Sequence, residues 1–170
     1  MVSQVKFDRW QNTLGNQYSN IIQAQFVSWG TITTITTTYT YLPVSSGVIT
    51  ITPLYSNTRF IVMPNCQGYY SGATSGMNIG LSRTVAGVTT RLLGVDGSSG
   101  DSWAGHGDGD GGSDSYSLFR QYVDSPSVVA GTPITYQVLL GCWGATSPNV
   151  SVNYASNYTP TSSMTIFEVQ

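Results

Sequence analysis

The stretch Tyr116–Cys142, YSLFRQYVDSPSVVAGTPITYQVLLGC, decides the fold class, because its apolar residues recur with a period of two rather than 3.6. Ile134, Tyr136, Val138 and Leu140 share one face, and Thr135 and Gln137 the other. That is the alternation of a strand half-buried against a core. The preceding run sets Tyr116, Leu118 and Tyr122 against Phe119 and Val123, so it is apolar on both faces and is expected to lie centrally in a sheet. Between the two runs, Pro126 and Pro133 remove amide donors and push their predecessors to extended dihedrals, which excludes a helix.

Working outward, further strand-like runs flank this pair. Ile21–Val27 places Ile22, Ala24 and Phe26 on one face and Gln23 and Gln25 on the other. Thr31–Tyr41 is rich in β-branched residues but weakly apolar, which suits an edge strand closed by Pro43. Gly47–Pro53 alternates, and Thr58–Met63 is a continuous apolar run of the kind buried on both sides. Beyond Pro64, Met77, Ile79 and Leu81 alternate within a glycine-rich segment, and Arg91–Val95 is a weaker strand. Residues 97–115, GSSGDSWAGHGDGDGGSDS, have no apolar periodicity and read as a long surface loop. Asn149–Tyr154 and Ser163–Gln170 close the chain as strands. Nine or ten short strands without a helix predict an all-β, antiparallel β-sandwich or jelly-roll-like domain over residues 20–170.

Residues 1–19 differ from the rest. They hold the only lysine and intersperse Val5, Phe7 and Trp10 with polar groups. Two readings stand side by side, a plain edge strand and a short extended arm that orders against a neighbouring subunit.

Charged residues make up 8% of the 170, against about 25% in soluble domains generally, and the formal net charge is −2. Such a surface has little repulsion to keep copies apart, so self-association is expected. Lys6, Arg9, Arg59, Arg83, Arg91 and Arg120 are scattered, which argues against a nucleic-acid partner. No apolar run reaches the roughly 20 residues of a bilayer span, and the first residues lack a signal peptide's apolar core. Synthesis in the cytoplasm and no membrane partner are the expectations. Cys66 and Cys142 fit no zinc spacing and read as buried packing thiols, with a disulfide the lesser alternative.

Chemistry is sparse. Asp101, His106, Asp108, Asp110 and Asp114 crowd into the glycine-rich loop, yet the calcium-loop pattern fails, with Gly112 at its third carboxylate position and Phe119 where its glutamate belongs. His106 is flanked by glycines that would hold a catalytic imidazole poorly. Asp101 or Asp124 could pair with Glu168 for glycoside cleavage, but spacing along the chain does not set their separation. No cofactor, no metal and no catalytic residue are expected. Tyr69, Tyr70 and Trp103 are candidates for stacking on glycans, although most aromatics in β proteins fill cores and cross-strand pairs.

The segments QVKFDRWQNTLGN (4–16), VITITPLYSNTRFIVM (48–63), YVDSPSVVAGTPITYQVLL (122–140) and SSMTIFEVQ (162–170) resemble small virion proteins and fibre domains of tailed bacteriophages, cyanophages especially. The resemblance implies a β-sandwich on the virion, commonly a homotrimer, either a capsid decoration (cement) protein bound to the major capsid protein or a tail-fibre tip bound to tail proteins or host surface glycans. One domain with a short arm suits decoration, with Val5, Phe7 and Trp10 docking on neighbours.

Overall fold

The computed structural model describes residues 3–6, 21–36, 40–71, 75–94, 104–107, 113–144, 149–153 and 160–170. Among them the chain forms thirteen strands: β1 (Ser3–Lys6), β2 (Ile21–Trp29), β3 (Thr33–Ile35), β4 (Tyr41–Ile51), β5 (Arg59–Ser71), β6 (Ser75–Val85), β7 (Val88–Leu93), β8 (Ala104–Gly107), β9 (Ser113–Phe119), β10 (Tyr122–Asp124), β11 (Ile134–Gly144), β12 (Asn149–Val152) and β13 (Ser162–Val169). They build two antiparallel sheets. The larger follows the order β1-β2-β13-β5-β12-β3, with β9 and β10 along the other side of β5; the smaller follows β4-β11-β6-β7, with β8 also on β6. Alternate residues of both sheets meet in one core, including Phe60, Val62, Cys66, Met77, Ile79, Leu81, Ile134, Tyr136, Val138, Leu140, Met164 and Ile166. The sandwich is the arrangement that buries one apolar face of each sheet.

The centre of the larger sheet is β5, not the run that ends in Val123. Tyr116–Val123 is expected to be central; it forms β9 and β10 instead, both paired, among the described residues, to β5 alone. The register is unchanged across their gap, and Arg120, whose amide donates to the Pro64 carbonyl at 3.2 Å, stands opposite that proline. Residues of an antiparallel ladder point N–H and C=O to the same side, so Pro64 lacks its donor where β9 gives way to β10. The apolar residues on the second face of this run are therefore at the surface.

Three other expectations change for similar reasons. Thr58–Met63 is not buried on both sides: Phe60 and Val62 point inward, while Ile61 and Met63 are half-buried on the outer face. Pro43 does not close a strand, because β4 is an edge strand and carries it opposite Leu139. Residues 97–115 are not wholly loop: β8 pairs Ala104–Gly107 with Gly76–Ile79, and β9 begins at Ser113. Glycines leave no alternation of side chains, so such backbone pairing has no periodic signature.

In β2 the faces are exchanged relative to the sequence reading. Ile22 is buried as its apolar face requires, but beyond it Gln23 is buried and Phe26 is exposed. A register shift between Glu168 and Val169 opposite this strand sets the phase, and Gln23 turns inward to donate from Nε2 to the Thr52 carbonyl at 2.7 Å and to Glu168 Oε2. A polar side chain faces inward because its partners wait there.

Candidate interaction surface

The cross-strand register carries one apolar row over the outer face of the larger sheet. Val123 pairs with Ile61, Ile61 with Phe167, Phe167 with Ala24, and Ala24 with Val5. On one flank Phe26 pairs with Thr165, which pairs with Met63; on the other, Ile21 pairs with Val169, which pairs with Arg59. Ile21, Arg59, Ile61, Val123 and Val169 line a shallow depression of about 280 Å³. Val123 is 51% exposed, Phe119 50%, Phe26 41% and Ile21 37%. With strands about 4.8 Å apart and same-face residues about 6.8 Å apart, four strands by three rows cover roughly 300–400 Å². That footprint includes Thr165, Arg59 and the buried Val169, and its size is that of the largest patch on an ordinary monomer, which is often functional.

The outer face of the smaller sheet is chemically the reverse. Thr50 pairs with Thr135, Thr135 with Thr84, and Thr84 with Thr89, one row of hydroxyls across four strands. The hydroxyls bond to one another, Thr50 to Thr135 at 2.8 Å and Thr84 to Thr89 at 2.8 Å. Hydroxyls thus solvate much of this face, with Arg91 of β7, exposed and opposite Ser82, as a charge beside the row.

The two carboxylates considered for acid–base work stand either side of Phe60, Asp124 in β10 and Glu168 in β13. Two strand spacings separate them, about 9.6 Å between backbones. Each is committed to partners of its own. Glu168, fully buried, accepts from Gln23, from the Leu54 amide at 3.0 and 3.1 Å and from the Tyr55 amide at 3.3 Å. Asp124 accepts from Arg83 Nη1 at 2.7 and 2.9 Å and from the Tyr136 hydroxyl at 2.7 Å. Burial and then the hydrogen bond to Asp124 hold the Tyr136 phenol well above its ordinary pKa. This arrangement ties edges and turns to the sandwich. Sequence reading missed the pairing of Gln23 with Glu168, although Glu168 is in phase with the inward Met164 and Ile166.

Of the other residues singled out, Tyr69 is half-buried in β5, and Tyr70 follows it in the same strand, opposite Asp114 and Val150. His106 lies in β8 opposite Met77. Val5 is in β1, at the free edge of the larger sheet. Phe7, Trp10, Asp101, Trp103, Asp108 and Asp110 lie outside the described residues. Among the described residues no three His, Cys, Asp or Glu come together as a metal site.

Cys66 and Cys142 are both buried, and no disulfide joins them. Burial pushes the Cys66 thiol from about 9.0 up to about 12, and the Cys142 thiol up to about 11 against a backbone hydrogen bond with Gly76 that lowers it. A pKa raised on folding leaves its stabilisation intact below the unfolded value and erodes it above. Conformational stability is therefore expected to be flat through neutral pH and to fall above about pH 9, by up to about 1.4 kcal/mol per thiol per pH unit. Guanidinium midpoints between pH 7 and 10.5 check this; a midpoint that rises through the interval contradicts it.

No known protein family matches the chain, and no curated protein does. Among solved structures, a similarity to infectious bursal disease virus, Gx strain, has 9% identity over 96% of this chain and 41% of the other, with a TM-score of 0.34. The Gt strain gives 9% identity over 99% and 37%, with a TM-score of 0.29. Dimeric latent PorU from Porphyromonas gingivalis gives 10% over 85% and 13%, with a TM-score of 0.28. The chain spans less than half of each, and at these TM-scores the similarity carries no argument.

Proposed function

We propose that this chain is a non-enzymatic virion structural protein of a tailed bacteriophage, a capsid decoration (cement) protein that forms homotrimers on the outer capsid and stabilises contacts between shell subunits. One observation carries the reading: the two outer faces of the sandwich differ, one presenting an apolar row across β10, β5, β13 and β2 and the other a row of threonine hydroxyls. A slab of that kind has a side to lay against protein and a side to leave in water. The sequence resemblance to phage virion proteins and the low charge point the same way. In this role the major capsid protein is the partner, and Val5, Phe7 and Trp10 extend the contact to neighbours.

Burial of apolar area at about 25 cal/mol per Å² makes each 100 Å² covered worth about 2.5 kcal/mol per copy before association costs, and many copies multiply it. Deleting residues 1–19 is expected to leave a folded domain, since among the described residues β1 pairs only with β2, and to reduce co-sedimentation with particles at least tenfold. Undiminished binding by the folded deletion variant contradicts the role given to the arm.

A further inference from the structure

We infer that the depression beside Arg59 seats a segment of a partner protein, in which a large apolar side chain fills the recess and a carboxylate two residues away pairs with the Arg59 guanidinium. This deepens the contact surface proposed above and rests on that reading for its protein partner. The recess is built by cross-strand register. Val123 of β10 pairs with Ile61 of β5, and Val169 of β13 pairs with both Arg59 and Ile21. Val169 is buried and Ile61 half-buried, while Ile21 and Val123 remain exposed around them. Arg59 and Ile61 are two residues apart on one strand, so they share a face about 6.8 Å apart. At about 280 Å³ and open to the surface, the space lies below the roughly 300–1,000 Å³ of pockets that enclose a free small molecule. It has room for one side chain of an extended segment lying along the sheet.

Arg59 supplies the charge that such a segment must answer. Of the four arginines among the described residues, Arg83 pairs with Asp124 at 2.7 Å, Arg91 lies 5.9 Å from the centroid of the Tyr41 ring, and Arg120 donates to the Phe119 carbonyl at 3.2 Å. Arg59 has no side-chain partner among the described residues. Nor can the carboxylates nearest in register serve it. Asp124 and Glu168 both stand opposite Phe60, whose side chain is buried in the core, and their oxygens are held by Arg83, Tyr136, Gln23 and the Leu54 and Tyr55 amides. In a chain of 8% charged residues, this leaves one guanidinium without a counter-ion beside an apolar recess. Its planar fork matches a carboxylate bidentately. In an extended partner, residues i and i+2 project to the same side with the spacing of Ile61 and Arg59, so the complementary pattern is apolar-x-acidic. Apolar burial supplies the affinity, and the exposed ion pair sets register and selectivity.

The test follows the isoleucine and valine methyl resonances of the whole protein as it is titrated with acetyl-Phe-Gly-Asp-amide or acetyl-Phe-Gly-Asn-amide. Saturable shifts at Ile21, Ile61, Val123 and Val169 are expected from both, with the acidic peptide bound about threefold to fivefold more tightly, the scale of an exposed ion pair. Arg59→Gln, whose unfolding midpoint is checked first, is expected to remove that preference, and Arg59→Glu to transfer it to acetyl-Phe-Gly-Lys-amide. Absence of binding, equal affinity for the acidic and amide peptides, or a preference that survives Arg59→Gln overturns the proposal. So do phosphatidylglycerol vesicles that shift these methyls when neither peptide does, which would make the occupant a lipid surface. Peptide recognition with this preference by a protein absent from particles keeps the site and removes the virion reading.

Discussion

Replacing Glu168 by alanine is expected to lower stability by about 3–5 kcal/mol, because three buried neutral donors lose their shared acceptor. The carboxylate accepts from the Gln23 side chain and the Leu54 and Tyr55 amides. Their loss leaves three donors facing a dry cavity, each costing about 1–3 kcal/mol unless the turn opens to water. The turn at residues 53–57 would then loosen from β13 and take with it the 126–131 connection, which is tied to it by Asn57 to Val128 and Gly131 to Pro53. Glu168→Gln is expected to recover only part of the loss, because its amide nitrogen cannot accept. Denaturant unfolding followed by tryptophan fluorescence measures this. A change under 1 kcal/mol for Glu168→Ala would contradict the account.

The second large effect is at Asp124, whose replacement by alanine strands both the Arg83 guanidinium and the Tyr136 hydroxyl. Tyr136 is fully buried against Phe60, so its hydroxyl has no route to water, whereas the Arg83 side chain is 20% exposed and can partly resolvate. The expected loss is about 2–4 kcal/mol, smaller than a wholly buried pair would give. Tyr136→Phe removes only the neutral donor and is expected to cost about 1 kcal/mol. A double-mutant cycle between the two positions should return a coupling energy of similar size. Were Asp124 and Glu168 instead a catalytic pair, their replacement would abolish a turnover and leave the unfolding midpoint nearly unchanged.

Much of the sandwich is legible in residue alternation. Ile49 and Ile51, Phe60 and Val62, Met77 with Ile79 and Leu81, and Ile134 through Leu140 all occupy the core their spacing assigns them. What alternation cannot give is which strands are neighbours. Tyr116–Val123 is apolar on both faces because Phe119 and Val123 stand on an exposed apolar face, a pattern indistinguishable in sequence from a central strand. The phase of β2 was set by a partner 145 residues away, through the Gln23 bond to Glu168 and the register shift beside it. The apolar row is illegible for the same reason. Val123, Ile61, Phe167 and Ala24 come from four separate segments and become one row only through cross-strand register.

The protein's work is assigned to surfaces rather than to a reacting centre, and an electron cryomicroscopy reconstruction of the assembled phage particle tests that most directly. The expected map has copies of the sandwich on the outer capsid, with Ile61, Phe167 and Phe26 turned toward neighbouring protein and the Thr50–Thr135–Thr84–Thr89 row turned to solvent. A particle without the protein, copies confined to the tail tip, or copies seated with the threonine row against the shell would contradict it.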